Sequence, residues 1–75
     1  VKFLCAFTDP DDRSQNVTIP VELSANEVKA IRALRREGDP HLWVKMQAYA
    51  LRHAYQMAPD GFQHTSGGVR QVLVN

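Results

Sequence analysis

The stretch "LSANEVKAIRALRREGDP", residues 23–40, constrains this chain most, because it marks where one helix starts, where it stops and where the next begins. Ser24 and Glu27 form an S-x-x-E capping box, in which each side chain serves a backbone donor of the other's residue. Leu23 before the cap and Val28 after it are placed to close a hydrophobic staple. Val28, Ile31 and Leu34, helped by Ala30, give that helix a narrow apolar stripe. Gly38 supplies the left-handed residue that ends it. Asp39 then suits the N-cap of a second helix, and Pro40 its first position, where a missing N–H costs nothing. The second helix is expected to run to about Met57, where "APDG" stops it.

Strand patterns flank this pair. From Val1 to Thr8 both alternating sets carry apolar residues (Val1, Phe3, Cys5 and Phe7, then Leu4 and Ala6), which marks a central strand. "DPDDRSQN" is rich in turn formers and reads as a long hairpin connection. Asn16 to Val21 puts Val17, Ile19 and Val21 on one face, with Asn16, Thr18 and Pro20 on the other. Pro20 cannot donate to a ladder, so this second strand belongs at an edge. "GFQHTSGG", residues 61–68, reads as a loop, and "VRQVLVN" as a last strand with Val69 and Leu73 on one parity and Val72 and Val74 on the other.

The expected fold is therefore α+β: one domain, residues 1–75, in two layers and ββααβ order. Two antiparallel helices would lie on one face of a three-stranded sheet of order 2-1-3. Two antiparallel strands followed by two antiparallel helices leave the last strand running parallel to the first, so the sheet is expected to be mixed.

At this length about 60% of the unfolded chain's surface is buried, so such domains often lean on a disulfide, a metal or a second subunit. Cys5 is the single cysteine, which excludes an internal disulfide and suits a reducing, cytoplasmic setting. A net charge of +1 is not the footprint of a strongly basic nucleic-acid binder. No run approaches the ~20 apolar residues of a membrane span, and "VKFLCAF" is too short for a signal peptide.

The second helix has more apolar surface than one sheet face uses. On a helical wheel Leu42, Met46, Tyr49, Ala50, His53 and Met57 share one face, while Val44, Ala48, Leu51 and Tyr55 lie nearly opposite. Trp43 and Ala54 bridge the two on one side, and His41, Lys45, Arg52 and Gln56 form a polar stripe. This points to a non-enzymatic interaction protein that self-associates as a homodimer or docks on a protein target. Its anchors would be Trp43, Val44, Leu51 and Tyr55, joined by an exposed sheet face.

No cofactor or metal is called for. Asp9, Asp11 and Asp12 could hold a hard cation, but Arg13 and Ser14 stand where an EF-hand loop wants a ligand and a glycine. His41, His53, His64 and Cys5 lack zinc spacing. "HTSGGVR" could wrap an anion with backbone N–H groups, yet it lacks the lysine and helix of a P-loop. Ser66 with His64 has no orienting acid and no nucleophile elbow. Lys29, Arg32, Arg35 and Arg36 make the first helix basic, offset in the sequence by Glu22, Glu27 and Glu37.

"NVTIPVELSANEVKAIRALRREGDPHLWVKMQAYALRHA" resembles a ribbon-helix-helix DNA-binding unit, with its alternating strand, capped helix, glycine turn and longer helix. The resemblance implies a dimeric transcriptional regulator with paired strands in the major groove and an intertwined helical core. Asn16 and Thr18 would then face bases, with Arg13 near phosphate and Lys29, Arg32 and Arg36 as further nucleic-acid contacts. The pattern is departed from at Pro20, in the third outward position, and at Asp39, whose charge opposes phosphate. A first strand beside the ribbon would also broaden it beyond a groove ~12 Å wide. The protein-interaction reading therefore stands first and the DNA-binding reading second.

Overall fold

The computed structural model describes residues 1–72, so the strand positions expected for Leu73 and Val74 lie outside the described residues. Elements follow in the expected order: β1 (Lys2–Asp9), β2 (Asp12–Glu22), α1 (Ala25–Glu37), α2 (Leu42–Met57) and β3 (Gln63–Val72). The sheet order is β2-β1-β3. β1 is central, as its two-sided apolar pattern requires, and Pro20 sits on the outer strand opposite Leu4.

The sheet is wholly antiparallel, and the expected parallel pairing of the last strand is corrected: Phe3 faces Gln71 and Thr8 faces Gln63. The reason lies in the direction of α2. Trp43 in its first turn lies by Phe3 near the start of β1, with ring centroids 6.3 Å apart, whereas Tyr55 in its last turn meets Phe7 near the end of β1. α2 thus advances in the sense of β1, and a short turn through Gly61 (φ 82°) sends β3 back. Counting reversals assumes that every element lies along the strands. The backbone of α1 approaches α2 alone, while α2 approaches all three strands.

Three boundaries also move. The hairpin between β1 and β2 is short: Pro10 and Asp11 alone separate the strands, and β2 begins at Asp12. The Asp9 carboxylate accepts the Asp11 N–H at 2.9 Å, and Asp12 accepts the Ser14 N–H at 3.1 Å and its hydroxyl at 2.6 Å, so turn chemistry occurs inside a ladder. Most of the expected loop 61–68 is strand: β3 starts at Gln63, and the four residues from Thr65 to Gly68 bulge opposite Ala6. Finally, α2 begins at Leu42, with His41 at its N-cap and no side-chain cap there. Asp39 serves the same end from further out, accepting from the His41 N–H at 2.7 Å and pairing with Lys45 Nζ at 2.6 Å.

The core lies between the sheet and α2. Phe3, Cys5, Phe7, Ile19, Val21 and Val69 supply the sheet side; Met46, Ala50 and Ala54, one helical row, supply the other; and Leu23 and Ile31 close the flank. α1 is built as read, with both halves of the capping box made and Gly38 at φ 68°. The sheet outruns this core. Every residue from Asp12 to Asn16 and from Gln63 to Gly67 is exposed. The molecule measures 42 × 24 × 22 Å with a radius of gyration of 13.3 Å, against about 11 Å for a compact chain of this length.

Candidate interaction surface

α2 is covered on two sides, by the sheet and by α1, and open on the third. Met46, Ala50 and Ala54 are buried, whereas Val44 is 64%, Met57 57%, Tyr55 47% and Trp43 45% exposed. Val44, Ala48, Leu51 and Tyr55, spaced four, three and four residues apart, fall within about 60° of one azimuth, so they make a continuous stripe. Ala48 is exposed, and Leu51 is half-buried and packed against the core. Lys45, Arg52 and Gln56 border the stripe, and the Arg52 guanidinium lies 5.9 Å from the Tyr49 ring centroid.

The expected anchors are not alike in what they do for the fold. Tyr55 stands edge-on to Phe7 with centroids 4.9 Å apart, and its hydroxyl lies 2.9 Å from His64 Nδ1. Trp43 leans on Phe3. Half of each ring therefore serves the domain. Val44 alone of the four is mainly outward, a distinction that equal weighting of apolar residues on a wheel does not reveal.

The other face of the sheet carries Leu4, Ala6 and Thr8, half-buried, with exposed Thr18, Pro20 and Arg70 around them. The residues of the DNA-binding reading separate between two sides. Asn16 and Thr18 share the β2 parity opposite to buried Ile19 and Val21, so they lie on this open face, whereas Lys29, Arg32 and Arg36 are exposed on α1 in the helical layer. Arg13 joins Asn16, His64, Thr65 and Ser66 around a shallow polar cleft of about 510 Å³ at the uncovered end of the sheet. The HTS segment reaches this cleft because β3 starts at Gln63, well before Val69 where the alternating apolar pattern begins.

The remaining chemistry-bearing groups have structural partners. His53 Nε2 lies 2.7 Å from Glu27 Oε1. Burial alone would raise the Glu27 carboxyl, but the Ser24 N–H, His53 and the Ser24 hydroxyl hold it below its ordinary value. The Lys45 ammonium and the His41 N–H hold Asp39 low, and the Ser14 hydroxyl and N–H do the same for Asp12. Burial raises the Cys5 thiol. Among the described residues no three His, Cys, Asp or Glu side chains gather into a metal-binding group, and no helix is long and apolar enough to cross a membrane. No family model matches the chain, and no curated protein or solved structure does either.

Proposed function

We propose that this chain is a small protein-interaction module whose contact surface is the open stripe of α2, with a second copy of itself as the first partner to test. One observation carries the reading: along one azimuth of a single 16-residue helix Val44, Ala48 and Tyr55 stay exposed beside half-buried Leu51, although three other residues of the same helix fill the core. Scattered apolar side chains are ordinary on a surface, but a row at one helical azimuth is the pattern that a partner helix or groove engages. Tyr55 suits one end of such a contact and Trp43 flanks the other, since aromatic anchors held in place by their own fold lose little entropy on binding.

Val44→Asp is the informative variant, because its side chain is outward and its loss leaves the core intact. Mass by light scattering after size exclusion, over a range of concentrations, should show the parent shifting toward dimer and Val44→Asp staying monomeric. Equal masses at every concentration would remove self-association through this stripe. A docked target in place of a second copy predicts a monomeric parent whose complex is lost on the same substitution.

A further inference from the structure

We infer that the outward face of α1 binds the phosphate backbone of a nucleic acid, through Lys29, Arg32, Arg35 and Arg36. The four are exposed and line one open hollow of about 610 Å³. Lys29, Arg32 and Arg36 stand at i, i+3 and i+7, so they share one azimuth and span about 10 Å of helix.

Surface cations on a helix are ordinarily neutralised by carboxylates three or four residues away. Here the nearby carboxylates are occupied or out of that spacing. Asp39, four residues beyond Arg35, pairs with Lys45 and accepts the His41 N–H. Glu27, two residues before Lys29 and five before Arg32, is out of that spacing and is held by the Ser24 N–H and by His53. Glu37 has no cation three or four residues before it, since Ala33 and Leu34 stand there. Among the described residues none of the four cations belongs to an ion pair.

The helix macrodipole explains Arg35 and Arg36 in the last turn, but it gives nothing to Lys29 and Arg32 further back. Arg32 and Arg36 are like charges four residues apart, an arrangement that weakens a helix until an anion bridges it. Three of the four are arginine, whose planar fork matches phosphate oxygens in pairs. Ala25, Asn26 and Ala33 flank the cations, and Val28, the one branched apolar residue in their arc, is half-buried against the core, so the face has little to insert into a bilayer. The net charge of +1 does not oppose this, because backbone contact depends on local charge, and the acidic residues Asp9, Asp11 and Asp12 sit at the far turn. This is not groove reading by β2, whose Thr18 lies on the open sheet face.

The test is fluorescence anisotropy of a labelled ~20-bp DNA duplex at low salt, followed by salt titration. Contact with three to four phosphates predicts a slope of log K against log salt near −3. Arg32→Glu with Arg36→Glu should abolish binding while circular dichroism stays that of the parent, and Thr18→Ala and Val44→Asp should bind as the parent does. Absence of binding at low salt overturns the inference, as does an unaffected double variant. Binding confined to polyglutamate or to phosphatidylserine vesicles overturns it in favour of an acidic protein or a membrane surface.

Discussion

His53, near the end of α2, and Glu27, in the first turn of α1, meet at 2.7 Å through Oε1, the same carboxylate oxygen that accepts the Ser24 N–H at 2.8 Å. One oxygen therefore closes a local motif and a tertiary contact together. The Ser24 hydroxyl completes the motif by accepting the Glu27 N–H at 3.2 Å. Among the described residues α1 has no backbone approach to the sheet, so this pair holds it in place together with the Ile31 and Val28 side chains, buried in and packed against the core.

A pH dependence follows from that oxygen. Burial pushes the Glu27 carboxyl up, and its partners more than offset this, so the folded value lies below the unfolded one. A carboxylate depressed in this way stabilises the fold above its unfolded pKa, about 4.3, and that stabilisation is lost as pH falls through the folded value. Urea midpoints should thus drop between about pH 5 and about pH 3. Glu27→Gln keeps the box geometry but removes the charge from its hydrogen bonds, so it should cost about 0.5–1.5 kcal/mol at neutral pH and flatten the acid limb. Some slope will remain, because Asp39 and Asp12 are lowered too. An acid limb unchanged in Glu27→Gln would show that the shared oxygen does not carry it.

Gly68 gives a second, sterically simple case. A Cβ built there would stand 2.9 Å from the Thr65 carbonyl oxygen and 3.0 Å from Ala6 Cβ, so backbone on one side and the central strand on the other must give way. Gly68→Ala should destabilise by about 1–3 kcal/mol, the usual cost of overpacking. Its neighbour Gly67, at φ 73° with open space around it, is constrained by backbone conformation alone. Gly67→Ala should therefore cost about 1–2 kcal/mol. Thermal unfolding of the two variants checks this, and a neutral Gly68→Ala would place the bulge elsewhere.

These two sites also show where the fold was legible in the sequence. The α1 motif is written locally: Ser24, Glu27 and Gly38 act on backbone groups within a turn, so their spacing carries the geometry. The strand order was readable because Pro20 excludes a central position and β1 is apolar on both parities. β3 and the beginning of β2 were not readable. Gln63 to Gly67 and Asp12 to Asn16 project beyond α2 and bury nothing, so their ladders are held by backbone pairing without the alternation that announces a strand. The sense of β3 depends on how α2 crosses the sheet, and no connection length encodes that. At the candidate surface, the wheel identified the stripe from Val44 to Tyr55, but which side chains lean inward depends on Phe3, Phe7 and His64, all distant in sequence.

Tyr55 separates those two duties. Tyr55→Phe keeps the perpendicular packing on Phe7 and loses the hydroxyl's contacts with the His64 ring and N–H, at 2.9 and 3.4 Å. That should cost about 0.5–1.5 kcal/mol. Tyr55→Ala removes the aromatic pair as well and should cost at least about 1 kcal/mol more. Denaturant midpoints of the three proteins give the difference directly, and equal losses would mean that the ring contributes nothing at the join of α2 and β3.

Cys5 offers a probe of the core that needs no substitution. Its side chain is fully buried between Phe3 and Phe7 on the central strand, and burial raises the thiol pKa. Thiol reagents attack the thiolate, so both lost access and the raised pKa suppress reaction in the native state. Labelling must therefore proceed through an opening that uncovers the core between the sheet and α2. When reclosing is faster than modification, the observed rate is the unfolded-chain rate multiplied by the opening equilibrium constant. Its logarithm should then rise linearly with urea, with the slope of global unfolding, because β1 lies between both other strands and no edge strand can leave Cys5 exposed by fraying alone. A shallow or absent urea dependence would mean that the thiol is reached by a local opening, and that α2 lifts from β1 while the three strands stay paired.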